Sequence, residues 1–370
     1  MLGGSDTQLY VAPPAAVLLK NPAIRREIAT TTTMKTAVIA STTKDKKTEV
    51  LSKKPVTKTV TRTTNTQATS TIPVNPPPQT PVIKNVWPTF DFETINKNAR
   101  EAVVNILCST RGGELSPISG TGVVVGQDGL ILTNAHIAQY LLLKDYGQKD
   151  RISCVARTGS PAYPRYNLEL VYISPIWVNN NKGLLKEQNP QGTGENDFAF
   201  LRITSNIDGS TLPIGFKYIP MNINEIITEK EPVLLVSYPA GFLGGLSILQ
   251  DLNITSAITK VNEVFTFKEN TIDLISVPGT VVSQKGSSGG AVIDKYATLL
   301  GLISTSSGED STNARDLRAI TLSYINRDLQ AELGMNLKQF SSINSADFAK
   351  KFQEINAPAL TKIIIDELNK

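Results

Sequence analysis

Between residues 103 and 322 the apolar positions fall in short runs rich in Val, Ile and Leu, broken at close intervals by Gly, Pro and Asn. Runs of this length and composition predict strands rather than helices. The spacing predicts six in a first unit: Val103–Cys108, Gly122–Val125, Leu130–Thr133, Arg151–Arg157, Leu168–Val178 and Phe198–Ile203. The tetrapeptide Gly126-Gln127-Asp128-Gly129 carries a hairpin signal between the second and third. A second unit opens at Phe216 to Asn222. Its strands are Pro232–Ser237, Ile254–Val261, Ile272–Val277, Ala291–Ile293 with Thr298–Ser304, and Leu317–Leu322. So many short, punctuated strands imply an all-β sandwich or barrels.

Helical spacing is confined to the flanks and one insertion. Phe92 to Val104 reads as a short helical lead-in, and Ile137 to Leu143 as a short helix. Ile325 to Leu333 is helical and stopped by Gly334. A further helix starts at Ser345 as N-cap, with Phe348, Phe352 and Ile355 on one face, and another covers Leu360 to Leu368. Asn179 to Glu195 is polar and reads as an exposed loop open to nicking.

The first 86 residues differ in kind. From Val11 to Val86 there is no aromatic residue, and Thr, Lys and Pro dominate. Such a stretch cannot offset its ordering entropy by burial, so it reads as a disordered spacer, stiffened near Pro73 to Pro81, with a glycosylated or processed pro-segment as the alternative. It holds 12 Lys+Arg against 4 Asp+Glu, a balance of +8. The whole chain carries +4, so the remainder is 4 − 8 = −4. No basic patch therefore calls for nucleic acid on the folded body. The tail's charge suits an anionic envelope polymer or membrane surface, or simply keeps the spacer solvated. The 370 residues divide into the spacer 1–86, a body 87–335 (first unit about 87–215, second about 216–335), and a helical tail 336–370.

Three candidate groups for chemistry stand out. Gly286-Ser287-Ser288-Gly289-Gly290 sits between two strands, where glycine permits a sharp turn that leaves a hydroxyl unscreened. The N–H groups of Gly286 and Ser288 can converge on a developing oxyanion. The chain has one histidine, His136, just past a strand, and Asp197 opens the run Asp197-Phe198-Ala199-Phe200. Each alone is ordinary: a turn, a strand-end histidine, a strand-start aspartate. A nucleophile, one base and an orienting acid in the order His, Asp, Ser are a specific combination. With the histidine so committed, two cysteines leave no metal site, and no cofactor is implied.

Thr133-Asn134-Ala135-His136, Asn196-Asp197-Phe198-Ala199-Phe200-Leu201 and Gly286-Ser287-Ser288-Gly289-Gly290 resemble the three signature stretches of trypsin-like serine peptidases of the chymotrypsin fold. Ala102 to Ile106, Gly120 to Val125 and Asp128 to Asn134 resemble the bacterial HtrA-like branch, as does Arg318-Ala319-Ile320 in the place of its last barrel strand. The resemblance runs from about Trp87 to Gly334. The tail beyond is too short for the PDZ domain usual in that branch.

The resemblance implies two packed six-stranded antiparallel Greek-key barrels and a serine endopeptidase. His136, Asp197 and Ser288 take the roles of the family's well-known triad, with the oxyanion received by Gly286 and Ser288. Ser304 matches the serine that touches the triad carboxylate and begins the substrate-pairing edge. Val282, Ser283, Thr305 and Ser306 would line the pocket for the side chain before the cut. With Val282 at its base, small or aliphatic side chains are expected. Ser287 stands where the digestive enzymes carry the aspartate of their zymogen switch, so that switch is not expected. The alternative is a catalytically silent relative that binds at a cell surface.

The resemblance also pairs the strand of Cys108 with that of Cys154, which makes a disulfide expected there; otherwise both are free buried thiols. A bridge would imply an oxidising compartment, hence an extracytoplasmic or secreted protein. No run of about 18 apolar residues suggests a membrane span, and no clear secretory signal is visible. Without the bridge, or a start upstream of Met1, a cytoplasmic location is the expectation. Protein or peptide substrates are the expected partners.

Overall fold

The structure, a computed structural model, describes residues 91–370 apart from 112–114, 188–191, 225–226, 242, 268–269 and 307–315. The 1–86 spacer and the expected onset of order at Trp87 lie outside the described residues. The first unit is a closed antiparallel barrel of β1 (Val103–Thr110), β2 (Ile118–Val124), β3 (Leu130–Thr133), β4 (Ile152–Thr158), β5 (Tyr163–Ile173) and β6 (Ala199–Asn206). Neighbours run β1-β2-β3-β6-β5-β4, and β4 returns to β1. Cys108 lies directly opposite Cys154 in the β1/β4 register, and the two are joined as a disulfide.

The second unit is a seven-stranded sheet built from β7 (Pro232–Ser237), β8 (Thr255–Lys260), β9 (Glu263–Phe265), β10 (Leu274–Val277), β11 (Ala291–Ile293), β12 (Leu299–Ser306) and β13 (Leu317–Thr321). Its order is β8-β7-β11-β12-β13-β10-β9. The two ends of that order, β8 and β9, are separated in sequence only by Val261-Asn262. One bent stretch thus pairs with β7 at its start and with β10 at its end, curling the sheet toward a barrel. The six ribbons expected for this unit become seven strands because that one is broken. Its interior is apolar: Val233, Leu235, Val261, Ile275, Val282, Val292, Ile303 and Leu317 pack together, all buried. The fold is chymotrypsin-like.

The helices depart more from the pattern. The strand expected over Leu168 to Val178 stops at Ile173, because Ser174 accepts the N–H of Trp177 and Pro175 takes the first position of α3 (Pro175–Asn181). The loop expected over Asn179 to Glu195 therefore begins inside a helix and includes a 3₁₀ turn at Leu184–Lys186. Helix α1 (Phe92–Ala102) is capped by Asp91, and α2 (Ala135–Leu142) begins one residue before His136. A short α4 (Gly245–Gln250) interrupts the link from β7 to β8. Helix α5 (Leu322–Leu333) ends on Gly334 in the left-handed region, φ 69°.

The last 35 residues form α6 (Leu337–Phe340), α7 (Ser345–Ile355) and α8 (Ala357–Leu368). The cap of α7 is Asn344, whose side chain accepts two backbone N–H groups, rather than Ser345. Phe348 and Phe352 face the barrel, but Ile355 is 66% exposed and off that face. Phe340 and Phe352 pack on Tyr172, and Phe340 also on Phe200. These helices cover the outer face of the first barrel. That explains why Phe198 to Leu201 are all fully buried instead of alternating.

Candidate active site

The first barrel supplies His136 from the start of α2. Helix starts leave N–H groups without intrahelical acceptors. Here the His136 N–H is taken by Asp197 Oδ1 at 3.0 Å, while His136 Nδ1 lies 2.8 Å from Asp197 Oδ2. One carboxylate thus holds both the backbone and the ring of the histidine. Asn134, the residue before the helix, makes no cap bond with its side chain. Its amide instead donates to the Asp197 carbonyl at 2.8 Å. Ser304 Oγ, on β12 of the second barrel, donates to Asp197 Oδ2 at 2.8 Å.

Burial works to raise the Asp197 pKa, but the His136 charge and the hydrogen bonds from His136 and Ser304 prevail and hold it below the usual carboxylate value. The Asp197 side chain is 6% exposed and that of His136 27%. The imidazole therefore keeps one edge open to an incoming molecule.

The turn ahead of Asp197 is fixed from α5. Asn196 has φ 58°, and Gly194 has φ 88°. The Asn196 N–H donates to the Tyr324 hydroxyl at 3.0 Å and its side chain to Asp328 Oδ2 at 2.7 Å. One turn further, Glu332 accepts from the Tyr172 hydroxyl and from Ser174 Oγ.

Ser288 comes from the loop between β10 and β11. Gly286 (φ 92°) and Gly289 (φ 81°) take conformations that L side chains rarely adopt. A Cβ on Gly289 would stand 1.8 Å from the Thr121 carbonyl oxygen, so the loop lies directly against β2 of the first barrel. Within the loop the N–H groups of Ser287, Gly289 and Gly290 donate to Gln284, Ile303 and Ser287 carbonyls. Among the described residues, those of Gly286 and Ser288 have no protein acceptor. Two free donors two residues apart, one of them the serine's own N–H, are the elements of an oxyanion hole. Ser287 is buried, linked to Ser237 Oγ and the Val282 carbonyl, and makes no ion pair among the described residues.

Ser288 Oγ donates to the Ser304 carbonyl at 3.3 Å rather than to the imidazole. Ser304 therefore touches Asp197 through its hydroxyl and Ser288 through its carbonyl, joining the three groups at the seam between the barrels.

The pocket residues are placed less uniformly. Val282 is fully buried in the second core. Its side chain is thus committed to packing rather than standing free at a pocket floor. Ser283 is buried too, its Oγ accepting the Thr280 N–H at 3.0 Å. The backbones of Thr305 and Ser306 continue β12 opposite Arg318 and Leu317; their side chains lie outside the described residues.

Neither Thr121 nor the Asn134, Asn196, Tyr324 and Asp328 contacts are foreseeable from residue pattern as parts of the site. Gly120 and Gly122 were the only local signal. A Cβ at either would meet Ile137 or Ile131 inside 3 Å, so glycine lets β2 sink toward the core while Thr121 faces the other way.

Residues 120–302 match the family model of the trypsin-like peptidase domain. That stretch is a trypsin-like peptidase domain, a domain of the serine-protease type that takes protein or peptide substrates. No curated protein matches the chain.

Proposed function

We propose that the chain is a serine endopeptidase that cuts peptide bonds through an acyl-enzyme. Ser288 is the nucleophile, His136 the general base and Asp197 the group that orients it. The observation that supports this most is the meeting at one seam of the His136–Asp197 pair, Ser288, and the two unengaged N–H groups of Gly286 and Ser288. Asp197 accepts Nδ1–H, so the neutral imidazole keeps its lone pair on Nε2. Nε2 takes the Ser288 proton as Oγ bonds to the scissile carbonyl carbon, and the carbonyl π pair moves onto oxygen. Gly286 and Ser288 N–H receive that oxyanion. Its collapse breaks the C–N bond, the leaving amine takes the proton from Nε2, and water repeats the steps to free Ser288.

A silent binding relative is the second reading, favoured by the Ser288 bond to Ser304. That bond is long, and catalytic hydrogen bonds often tighten only when substrate arrives. Turnover of casein or a peptide by the parent, Ser288→Ala and His136→Ala, with circular dichroism as folding control, separates the two. General-base loss is worth about 100- to 10,000-fold. A His136→Ala protein as active as the parent would end the triad reading.

The cut is proposed to follow small or branched aliphatic side chains. No acidic residue occurs from Val281 to Ser288 to pair with Lys or Arg, whose desolvation would go uncompensated. An extracytoplasmic location is proposed from the Cys108–Cys154 bridge, with the basic 1–86 segment suited to an anionic envelope surface.

A further inference from the structure

Resting on the peptidase reading above, we infer that Thr121 is a positioning residue for the oxyanion-binding loop. It does not touch substrate; it fixes from the first barrel the peptide groups that the second barrel offers to the oxyanion.

Thr121 is fully buried in β2, flanked by the two glycines that let the strand sink. Its hydroxyl is used twice: Oγ1 donates to the Gly286 carbonyl at 2.8 Å and accepts the Tyr238 N–H at 3.0 Å. Its backbone N–H donates to the Ser288 carbonyl at 2.8 Å. Its backbone carbonyl accepts Thr133 Oγ1 at 2.7 Å and is the atom that Gly289 approaches too closely to carry a side chain. One residue thus grips the carbonyls of both residues whose N–H groups are free.

The peptide that carries the Gly286 N–H is held at its other end. Lys285 carbonyl accepts the Ala240 N–H at 2.7 Å. The C=O and N–H of a trans peptide point in opposite directions, so this bond turns the Gly286 N–H away from Ala240. The next peptide, whose carbonyl is Gly286 O, is fixed by Thr121. Gly286 sits between two anchored peptide planes, at a φ of 92° that few residues hold unaided. Tyr238 N–H and Ala240 N–H come from the same segment after β7. The Thr121 hydroxyl therefore ties that segment and the nucleophile loop together.

Loss of the hydroxyl leaves Gly286 O and Tyr238 N–H without partners, and the 286–287 peptide is then held only by the Ser287 N–H on the Gln284 carbonyl, at 3.2 Å. Misplacement by about 1 Å can cost on the order of 100-fold in rate, and a lost oxyanion donor about 100- to 1,000-fold. The effect belongs to the transition state, so it falls on kcat and not on KM.

The test is steady-state kinetics of the full chain on one peptide amide, comparing Thr121→Val with Thr121→Ser. Labelling of the parent by a fluorophosphonate at Ser288 serves as the control for the peptidase reading. Thr121→Val is expected to lower kcat by about 10- to 100-fold with KM within about twofold, and Thr121→Ser to restore most of it. Thr121→Ala supplies the same comparison should the valine variant not fold. A parent that takes no label overturns the peptidase reading itself. A labelled parent, with a folded Thr121→Val or Thr121→Ala of unchanged kcat, overturns the inference about Thr121. So does an equal loss in Thr121→Ser.

Discussion

Replacing Glu332 by glutamine should flatten the pH dependence of stability. The carboxyl is 5% exposed and takes hydrogen bonds from Tyr172 and Ser174. Burial first, then the charge of Asp328 one turn earlier, raises its pKa from 4.5 to about 7, against the opposing pull of the two hydroxyls. A carboxyl raised in the folded state binds its proton more tightly there than in the unfolded chain. The stability it contributes is full below 4.5 and is lost as pH rises to about 7. That interval corresponds to about 3 kcal/mol at 1.36 kcal/mol per pH unit. Asp328 also holds Asn196, the neighbour of Asp197, so the strain of ionising Glu332 falls next to the site. Urea unfolding of parent and Glu332→Gln at pH 5 and pH 8 measures the effect. The parent should lose about 2.5 kcal/mol more than the variant across that range, since pH 5 already lies above 4.5. Equal losses in the two proteins would show that Glu332 is not the titrating group.

Other outcomes follow from single contacts. Gly289→Ala should not reach the native fold, since its Cβ would lie 1.8 Å from Thr121 O; a melting temperature within about 2 °C of the parent would contradict this. Ser304→Ala removes a hydrogen bond to a buried carboxylate, which is worth about 1.5–3 kcal/mol; denaturant titration reads the loss, and a stability equal to the parent's counts against it. Reducing Cys108–Cys154, 46 residues apart, should cost about 4 kcal/mol by chain entropy; unchanged unfolding with reductant present would set that aside. A positional scanning library should yield cuts after Val, Ala, Ile or Leu, and dominant cleavage after Lys or Arg would overturn the proposed preference.

Much of the strand order was legible because short β-branched runs between glycines have few other readings. Pro232–Ser237 and Ala291–Ile293 coincide with β7 and β11 to the residue. Boundaries slipped where a side chain outweighed propensity: Ser174 capped α3 out of what reads as one long apolar strand. Strand β9 escaped notice because Glu263-Val264-Phe265 is too short to carry a period. At the site, residue type and order picked out His136, Asp197 and Ser288. Their supports were not legible, because Thr121, Asn134, Asn196 and Tyr324 act through backbone groups 63 to 165 residues away. Val282 illustrates the limit from the other side. Its position relative to Ser288 suggested a pocket, but the apolar interior of the second barrel claimed its side chain.

The central claim is that Ser288 is an activated nucleophile. Treating the folded full-length chain with a fluorophosphonate and mapping the adduct by peptide mass spectrometry tests it directly. One covalent adduct is expected, on Ser288, formed far more slowly in His136→Ala and absent in Ser288→Ala. A correctly folded protein that takes no adduct, or takes it on another serine, would contradict it.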